Sequence, residues 1–345
     1  MTKKMTGLVY RGKENVSMEM MDVPELENGE ALIKVAYGGI CGSDVTLYEG
    51  RNSRVPLNTV IGHELSGTIA EINGEAKNLS VGDNVTIEPI FSCGQCDSCR
   101  IGDYNMCEQY KLLGIHMNGG FAEFVKAPFN RIYKLPPQVS LKEAALVEPL
   151  SVATHAVRQS RLKYKDNVLV IGGGPIGMFV AHVAKAAGAN VIISDINDYR
   201  LGLAKQAGID TIDGKTQDVK KTVAERSDGM GADVVFECAG VNAVVNQSLD
   251  ACRPKGQVVI VASHEEPVPT DLRLLHLKEI NMQGMKVYNF RDYRASIQMI
   301  ASGDIGAGLF ITNVLPLSGF TEGIRLMKGG NNVMKVLLDL TEGAR

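Results

Sequence analysis

Short apolar runs of strand length alternate with runs of helical spacing through the middle of the chain. Asn167–Ile171 (NVLVI) reads as a buried strand, residues 178–189 (MFVAHVAKAAGA) carry apolar positions at helical period, and residues 190–194 (NVIIS) form a second strand. Further strands are expected at 233–237 (DVVFE) and 257–262 (QVVIVA), separated by the helix-like VNAVVNQSLDAC; this alternation predicts a parallel sheet of βα units. Nearer the start, ALIKVAYGGI (31–40) is strand-like, and the apolar run ending in ALVEPL is helix-like up to Glu148, where Pro149 is expected to hold the backbone extended. The most apolar stretch, 168–194, is broken by Gly172–Gly174, His182 and Lys185, so it falls short of the roughly 20 apolar residues that cross a bilayer.

Composition narrows the class. At about 150 residues per domain, a chain of 345 predicts two domains. With 45% hydrophobic and 22% charged residues it should bury sizeable cores rather than stay disordered. The formal charge of −3 gives no basic excess, which argues against nucleic acid or an anionic membrane as partner and for a small, roughly neutral substrate. No apolar segment of signal-peptide length follows the opening lysines, so a cytoplasmic location is expected. In such a reducing compartment clustered cysteines serve as metal ligands more often than as disulfides.

Cys93, Cys96, Cys99 and Cys107 stand in SCGQCDSCRIGDYNMC at C-x2-C-x2-C-x7-C spacing. Four thiolates close a tetrahedral site, the pattern of structural zinc; the bacterial iron–sulfur run ends C-x3-C-P, whereas Glu108 follows Cys107 here. Cys238, at a strand end, and Cys252, in a polar turn, read as small buried hydrophobes. Cys41 is different: it opens CGSD after a strand, His63 and Glu64 follow about twenty residues later in VIGHELSG, and Glu148 could complete the set. Cys, His and Glu leave one zinc position for water or substrate, as in a catalytic site.

Gly172, Gly174 and Gly177 match G-x-G-x-x-G between strand and helix, with Pro175 and Ile176 inside the motif. Asp195 ends the next strand at about the distance expected of the acid that accepts hydrogen bonds from a ribose diol. Its carboxylate would repel a 2′-phosphate, so NAD is expected over NADP; Arg200 is read as lying over the adenine or as a surface charge.

CGSD, GHE, the four-cysteine loop, GGFAEFV, VEP and GGGPIG, in this order and spacing, resemble the zinc-dependent medium-chain dehydrogenases over essentially the whole chain. The resemblance implies an α/β fold: a GroES-like β-barrel catalytic domain in two parts, 1–149 and 288–345, around a Rossmann doubly wound parallel-sheet domain at 150–287. A glutamate after ALV, where liver-type alcohol dehydrogenases carry cysteine, is similar to the polyol and sugar-alcohol members, among them sorbitol, butanediol, threonine and sugar-phosphate dehydrogenases. It further implies two zinc ions per chain, one catalytic and one structural. The catalytic zinc would be held by Cys41, His63 and either Glu64 or Glu148, with Ser43 starting a proton relay as a secondary alcohol becomes a ketone and NAD becomes NADH. It also implies a homodimer or homotetramer that pairs the edge strands of two nucleotide domains. Two departures stand out: Thr46 replaces the histidine that ends the relay in many members, and Leu47 and Val287 stand about where sorbitol dehydrogenases have tyrosine and arginine, which disfavours D-sorbitol itself.

Arg51 and Arg54, in EGRNSRVP, are candidate anchors for an anionic substrate group; the plain alternative is two solvated loop charges. L-Threonine or another amino-alcohol is the main rival substrate. A non-catalytic nucleotide-binding protein on the same scaffold would be expected to have a broken metal site.

Overall fold

A computed structural model describes residues 3–329 and 332–341. The chain divides into two compact units, one formed by the residues up to Glu148 together with those from Asn289 onward, the other by Pro149–Tyr288. Among the described residues no helix is long and apolar enough to cross a membrane.

The first unit is built on a seven-stranded sheet in which the strand Glu30–Gly39 is central. It pairs antiparallel with Glu64–Asn73 along its length, with Phe124–Pro128 over its first half, and with Lys335–Asp339 at its end. The burial alternates poorly along this strand because the register slips between Leu32 and Ile33 and again between Val35 and Tyr37. Such bulges add bend and twist, which lets a sheet curl around its own core. That core holds Ile33, Val35, Ile40, Leu65, Ile69, Phe121 and Phe320, with the two phenylalanine rings 6.0 Å apart.

The four-cysteine loop is tied to this sheet by one buried acid. Glu88, fully buried, accepts hydrogen bonds from the hydroxyls of Tyr104 and Tyr133 and from Arg131 Nη1 (2.9 Å), while the Arg131 guanidinium stacks over the Tyr104 ring at 4.4 Å. Tyr104 lies inside the loop and Tyr133 on the strand Ile132–Lys134, so one carboxylate joins the two. Burial pushes the Glu88 carboxyl up, against the pull of Arg131 and the two phenols.

The second unit is a six-stranded sheet whose neighbouring strands all run parallel, in the order Asp210–Asp213, Asn190–Asp195, Asn167–Ile171, Ala232–Glu237, Cys252–Ile260, Asn281–Gly284. The order reverses beside Asn167–Ile171, and ligands of open α/β sheets bind at such a switch, beyond the carboxyl ends of the strands. Val168, Leu169, Val170 and Ile171 are all buried, the unbroken apolar run expected of a strand covered on both faces.

Two local expectations are corrected. Glu148 is helical rather than extended, because Val147–Gln159 forms one helix with Pro149 in its first turn, where a proline's missing N–H costs nothing. Cys252 opens a strand instead of standing in a turn, and burial pushes its thiol up to about 12.

Replacing Glu88 by alanine would strand the Arg131 guanidinium with no carboxylate. Breaking a buried pair in this way costs about 3–5 kcal/mol. Glu88→Ala is therefore expected to lower the denaturant midpoint clearly, and Glu88→Gln, whose one carbonyl oxygen can still accept from Tyr104 and Arg131, by less.

Candidate metal and nucleotide sites

The Sγ atoms of Cys93, Cys96, Cys99 and Cys107 all lie within 4.8 Å of one another. Backbone N–H groups point at the sulfurs, from Cys96 to Cys93 (3.4 Å), from Cys93 to Cys107 (3.3 Å) and from Gln109 to Cys107 (3.3 Å). The N–H groups of Gln95 and Cys96 bring the Cys93 thiol down to about 6, whereas burial and its sulfur neighbours push Cys99 up to about 11. Four thiolates this close repel one another unless a cation sits among them. An all-sulfur set with no remaining position fits structural zinc.

A second group gathers Cys41, His63 and Glu64, again with donor atoms within 4.8 Å. Cys41 caps the helix Gly42–Tyr48, and its backbone N–H is held by Asp44 Oδ2 at 2.8 Å. Glu64 starts the strand Glu64–Asn73 opposite Gly39, and a Cβ on Gly39 would stand 2.0 Å from Glu64 Oε2, so only glycine leaves room for this carboxylate. Lys335 Nζ reaches Glu64 Oε1 at 2.6 Å, and both side chains are buried. Burial lowers the His63 pKa, but the hydrogen bond and charge of Cys41 and the charges of Asp44 and Glu148 more than reverse this and hold it at about 10. Burial likewise raises the Asp44 carboxyl. A mostly buried pocket this rich in anionic donors, with His63 Nδ1 buried and lacking a hydrogen-bond partner, fits a divalent cation.

Glu148 lies outside that close set. It is buried, and its charge is felt at His63 and Lys335. The Ser43 hydroxyl, two residues past Cys41, is buried without a partner. Thr46 donates its hydroxyl to the Ser43 carbonyl at 3.0 Å.

In the second unit, Gly174 caps the helix Pro175–Ala186 with Pro175 and Ile176 in its first turn, leaving unpaired backbone N–H groups at the end of a twelve-residue dipole. A Cβ on Gly177 would fall 1.8 Å from the Gly172 carbonyl oxygen, so the loop can turn this tightly only with glycine there. Asp195 ends its strand and accepts from the Gly173 and Asn197 N–H groups. Arg200, on the next helix, stands with Nη1 3.5 Å from Asp195 Oδ2. Gly172, Gly174, Asp195, Ile196, Arg200 and Val241 help line a cavity of about 470 Å³.

The pattern of the alcohol dehydrogenase GroES-like domain matches residues 27–137, and that of the zinc-binding dehydrogenases matches 175–302. The 2-dehydro-3-deoxy-L-galactonate 5-dehydrogenase of Pseudoalteromonas atlantica is 38% identical over 312 residues, 90% of this chain and 92% of its own. The chain belongs to the zinc-dependent medium-chain alcohol and polyol dehydrogenases. The D-arabitol-phosphate dehydrogenase of Enterococcus avium is 36% identical over 98% of each chain. The crystal structure of 2R,3R-butanediol dehydrogenase from Bacillus subtilis superposes with a TM-score of 0.91 at 32% identity, covering 97% of this chain and 99% of that one. This dehydrogenase is thus an oxidoreductase, with a GroES-like part and a Rossmann-type parallel sheet.

Two residues of the dehydrogenase's metal pocket have no role in the sequence reading. Asp44 stands inside the CGSD motif, where its position beside Cys41 is the only signal. Lys335 lies 271 residues from Glu64 in sequence, on a strand whose sequence looks like any buried strand, and only the pairing of Lys335–Asp339 with Glu30–Gly39 brings it to the pocket.

Lys335→Met would leave Glu64 buried without its ammonium, at a cost of about 3–5 kcal/mol. Metal-depleted protein is expected to show that loss in denaturant unfolding, and zinc is expected to restore part of it by neutralising the same carboxylate.

Proposed function

We propose that this dehydrogenase oxidises a secondary alcohol of a polyol, sugar alcohol or related small hydroxy compound to the ketone, with hydride passing to NAD. The observation that carries this reading is the close set of Cys41, His63 and Glu64, with the unpartnered Ser43 hydroxyl on the helix that Cys41 caps. A zinc ion bound there would withdraw electron density from the alcohol oxygen, and NAD would supply the hydride acceptor.

The chain's own groups do the rest. Cys41, His63 and Glu64 would hold the ion, and Glu148, buried nearby, would orient the water or alcohol. Lys335 pairs with Glu64 and holds its carboxylate in place, and Asp44 fixes the Cys41 backbone. Ser43 takes the alcohol's proton. The Thr46 hydroxyl is already directed at the Ser43 carbonyl, and the residue carries no imidazole, so the proton leaves through water, a cofactor hydroxyl or another residue. Cys93, Cys96, Cys99 and Cys107 hold a second zinc that shapes the loop.

Gly172, Gly174, Pro175, Ile176 and Gly177 receive the pyrophosphate, and Asp195 receives the adenosine ribose. The preference for NAD rests on the Asp195 carboxylate, which also engages the Arg200 guanidinium that would otherwise favour a 2′-phosphate. The two compact units correspond to a catalytic part and a nucleotide part. Assembly into a homodimer or homotetramer is supported by the edge position of Asn281–Gly284 and the exposed Leu272 and Leu277 on the preceding helix. Seven unbridged cysteines fit a reducing cytoplasm.

NADH formation from polyols, polyol phosphates, vicinal diols and L-threonine tests the reading. Oxidation of at least one hydroxy compound, abolished by chelation, is expected together with two zinc ions per chain. Cys41→Ser should lose one ion and the activity, and Cys99→Ser the other ion and thermal stability. One zinc per wild-type chain would refute the open site.

The cofactor assignment has its own test. Asp195→Ala removes the ribose acceptor and frees Arg200, so kcat/KM with NAD is expected to fall about tenfold, worth about 1.4 kcal/mol, while use of NADP rises. An unchanged cofactor ratio would remove Asp195 from the ribose site.

A further inference from the structure

The loop that leads from the Ser43 helix to His63 carries two arginines, and the structure treats them differently. Arg51 Nε lies 3.0 Å from Glu49 Oε2, and Glu49 also takes Lys328 Nζ at 2.8 Å, so the Arg51 guanidinium is held by an ion pair within the fold. Arg54 has no ion-pair partner among the described residues. Its backbone N–H and its Nε both donate to Asn52 Oδ1, each at 3.2 Å. Those two bonds fix the orientation of the Asn52 amide, since its oxygen must face Arg54.

The consequence falls on the other end of that amide. Asn52 is 8% exposed, and its buried Nδ2 has no acceptor. Buried donors are normally satisfied, and one left open costs stability unless a ligand supplies the acceptor. Beside it, the Nη groups of Arg54 find no acceptor among the described residues, although the guanidinium fork matches carboxylate and phosphate oxygens. An amide donor and a guanidinium held on the same short loop call for one anionic, multi-oxygen group.

The metal pocket bounds this loop at both ends, since the loop runs from the helix capped by Cys41 to His63. The Tyr110 hydroxyl, pushed up by burial and by the Glu148 carboxylate, is drawn back by Arg54. One phenol therefore senses both Glu148 and Arg54. We propose that Asn52 and Arg54 form an anion subsite that holds the phosphate or carboxylate end of a hydroxylated substrate while its secondary alcohol reaches the metal pocket. This rests on the polyol-oxidation reading above and narrows its substrate class. Arg54 binds the anion, and Asn52 both aims Arg54 and donates to the same group.

D-Arabitol, D-arabitol phosphate and D-arabinonate share a carbon skeleton and differ in one end group, which makes them suitable probes. Wild-type enzyme with NAD is expected to favour at least one charged compound over D-arabitol by tenfold or more in kcat/KM, and which one identifies phosphate or carboxylate as the ligand. Arg54→Ala should cut that ratio at least tenfold through KM, with kcat changed less than twofold. Arg54→Lys should recover part of it, and Asn52→Asp, which sets a negative charge against the anion, should cut it as well. Arg51→Ala should leave the ratio within twofold.

If wild-type enzyme oxidises D-arabitol as well as its charged relatives, or if Arg54→Ala leaves the ratio unchanged, the subsite is refuted while the dehydrogenase reading stands. If none of the three is oxidised, the wider panel of hydroxy compounds above decides the polyol reading. Calorimetric binding of the two anions to NAD-loaded protein then decides the subsite: at least tenfold weaker binding by Arg54→Ala upholds it, and equal binding, or none by wild type, refutes it.

Discussion

The metal pocket is governed by an excess of negative charge in largely buried surroundings. Cys41, Asp44, Glu64 and Glu148 are gathered around His63, and one buried ammonium, Lys335, faces them. Water would screen such a group, but here desolvation makes every unpaired charge costly. The protein answers in part by keeping His63 protonated up to about 10. A divalent cation would answer more fully, because it would neutralise thiolate and carboxylate at once and displace the extra proton from the imidazole. Metal binding and stability of this unit are therefore one problem.

That constraint explains features of the first unit far from one another in sequence. Gly39 lacks a side chain because Glu64 needs the space, and the end of the same strand pairs with Lys335–Asp339. The C-terminal segment thus completes the sheet and delivers the ammonium through the same hydrogen-bonded register. Glu88 performs the comparable task for the four-cysteine loop, with Arg131 and two phenols in place of Lys335. Each metal-ligand group in this unit has a buried, hydrogen-bonded carboxylate beside it that ties it to the barrel strands.

What the sequence made legible follows from how local each signal is. The C-x2-C-x2-C-x7-C spacing, the glycine loop and the acid at Asp195 are written over a few residues, and the parallel βα alternation follows from apolar periodicity. Glu148 could be singled out, but not its backbone: Pro149 reads as an obstacle to helix, and only the position of the helix start decides that it is tolerated. Lys335 is invisible for a different reason, since its partner is set by strand register. Arg51 and Arg54 look alike in EGRNSRVP, and their difference depends on Glu49 and Lys328 on one side and the buried Asn52 amide on the other.

That contrast bears on how one scaffold serves many hydroxylated substrates. The metal pocket and the glycine loop are built from strand ends and helix N-termini, where neighbouring backbone fixes each group and little can change without loss of the fold. Asn52 and Arg54 sit on an irregular loop between those fixed elements, anchored by the buried Val55 and Val60. A loop of this kind can change its polar residues without moving the metal ligands. Chemistry and substrate choice thus rest on different parts of one unit, and the relatives that act on a sugar acid, a polyol phosphate and a neutral diol fit such a division.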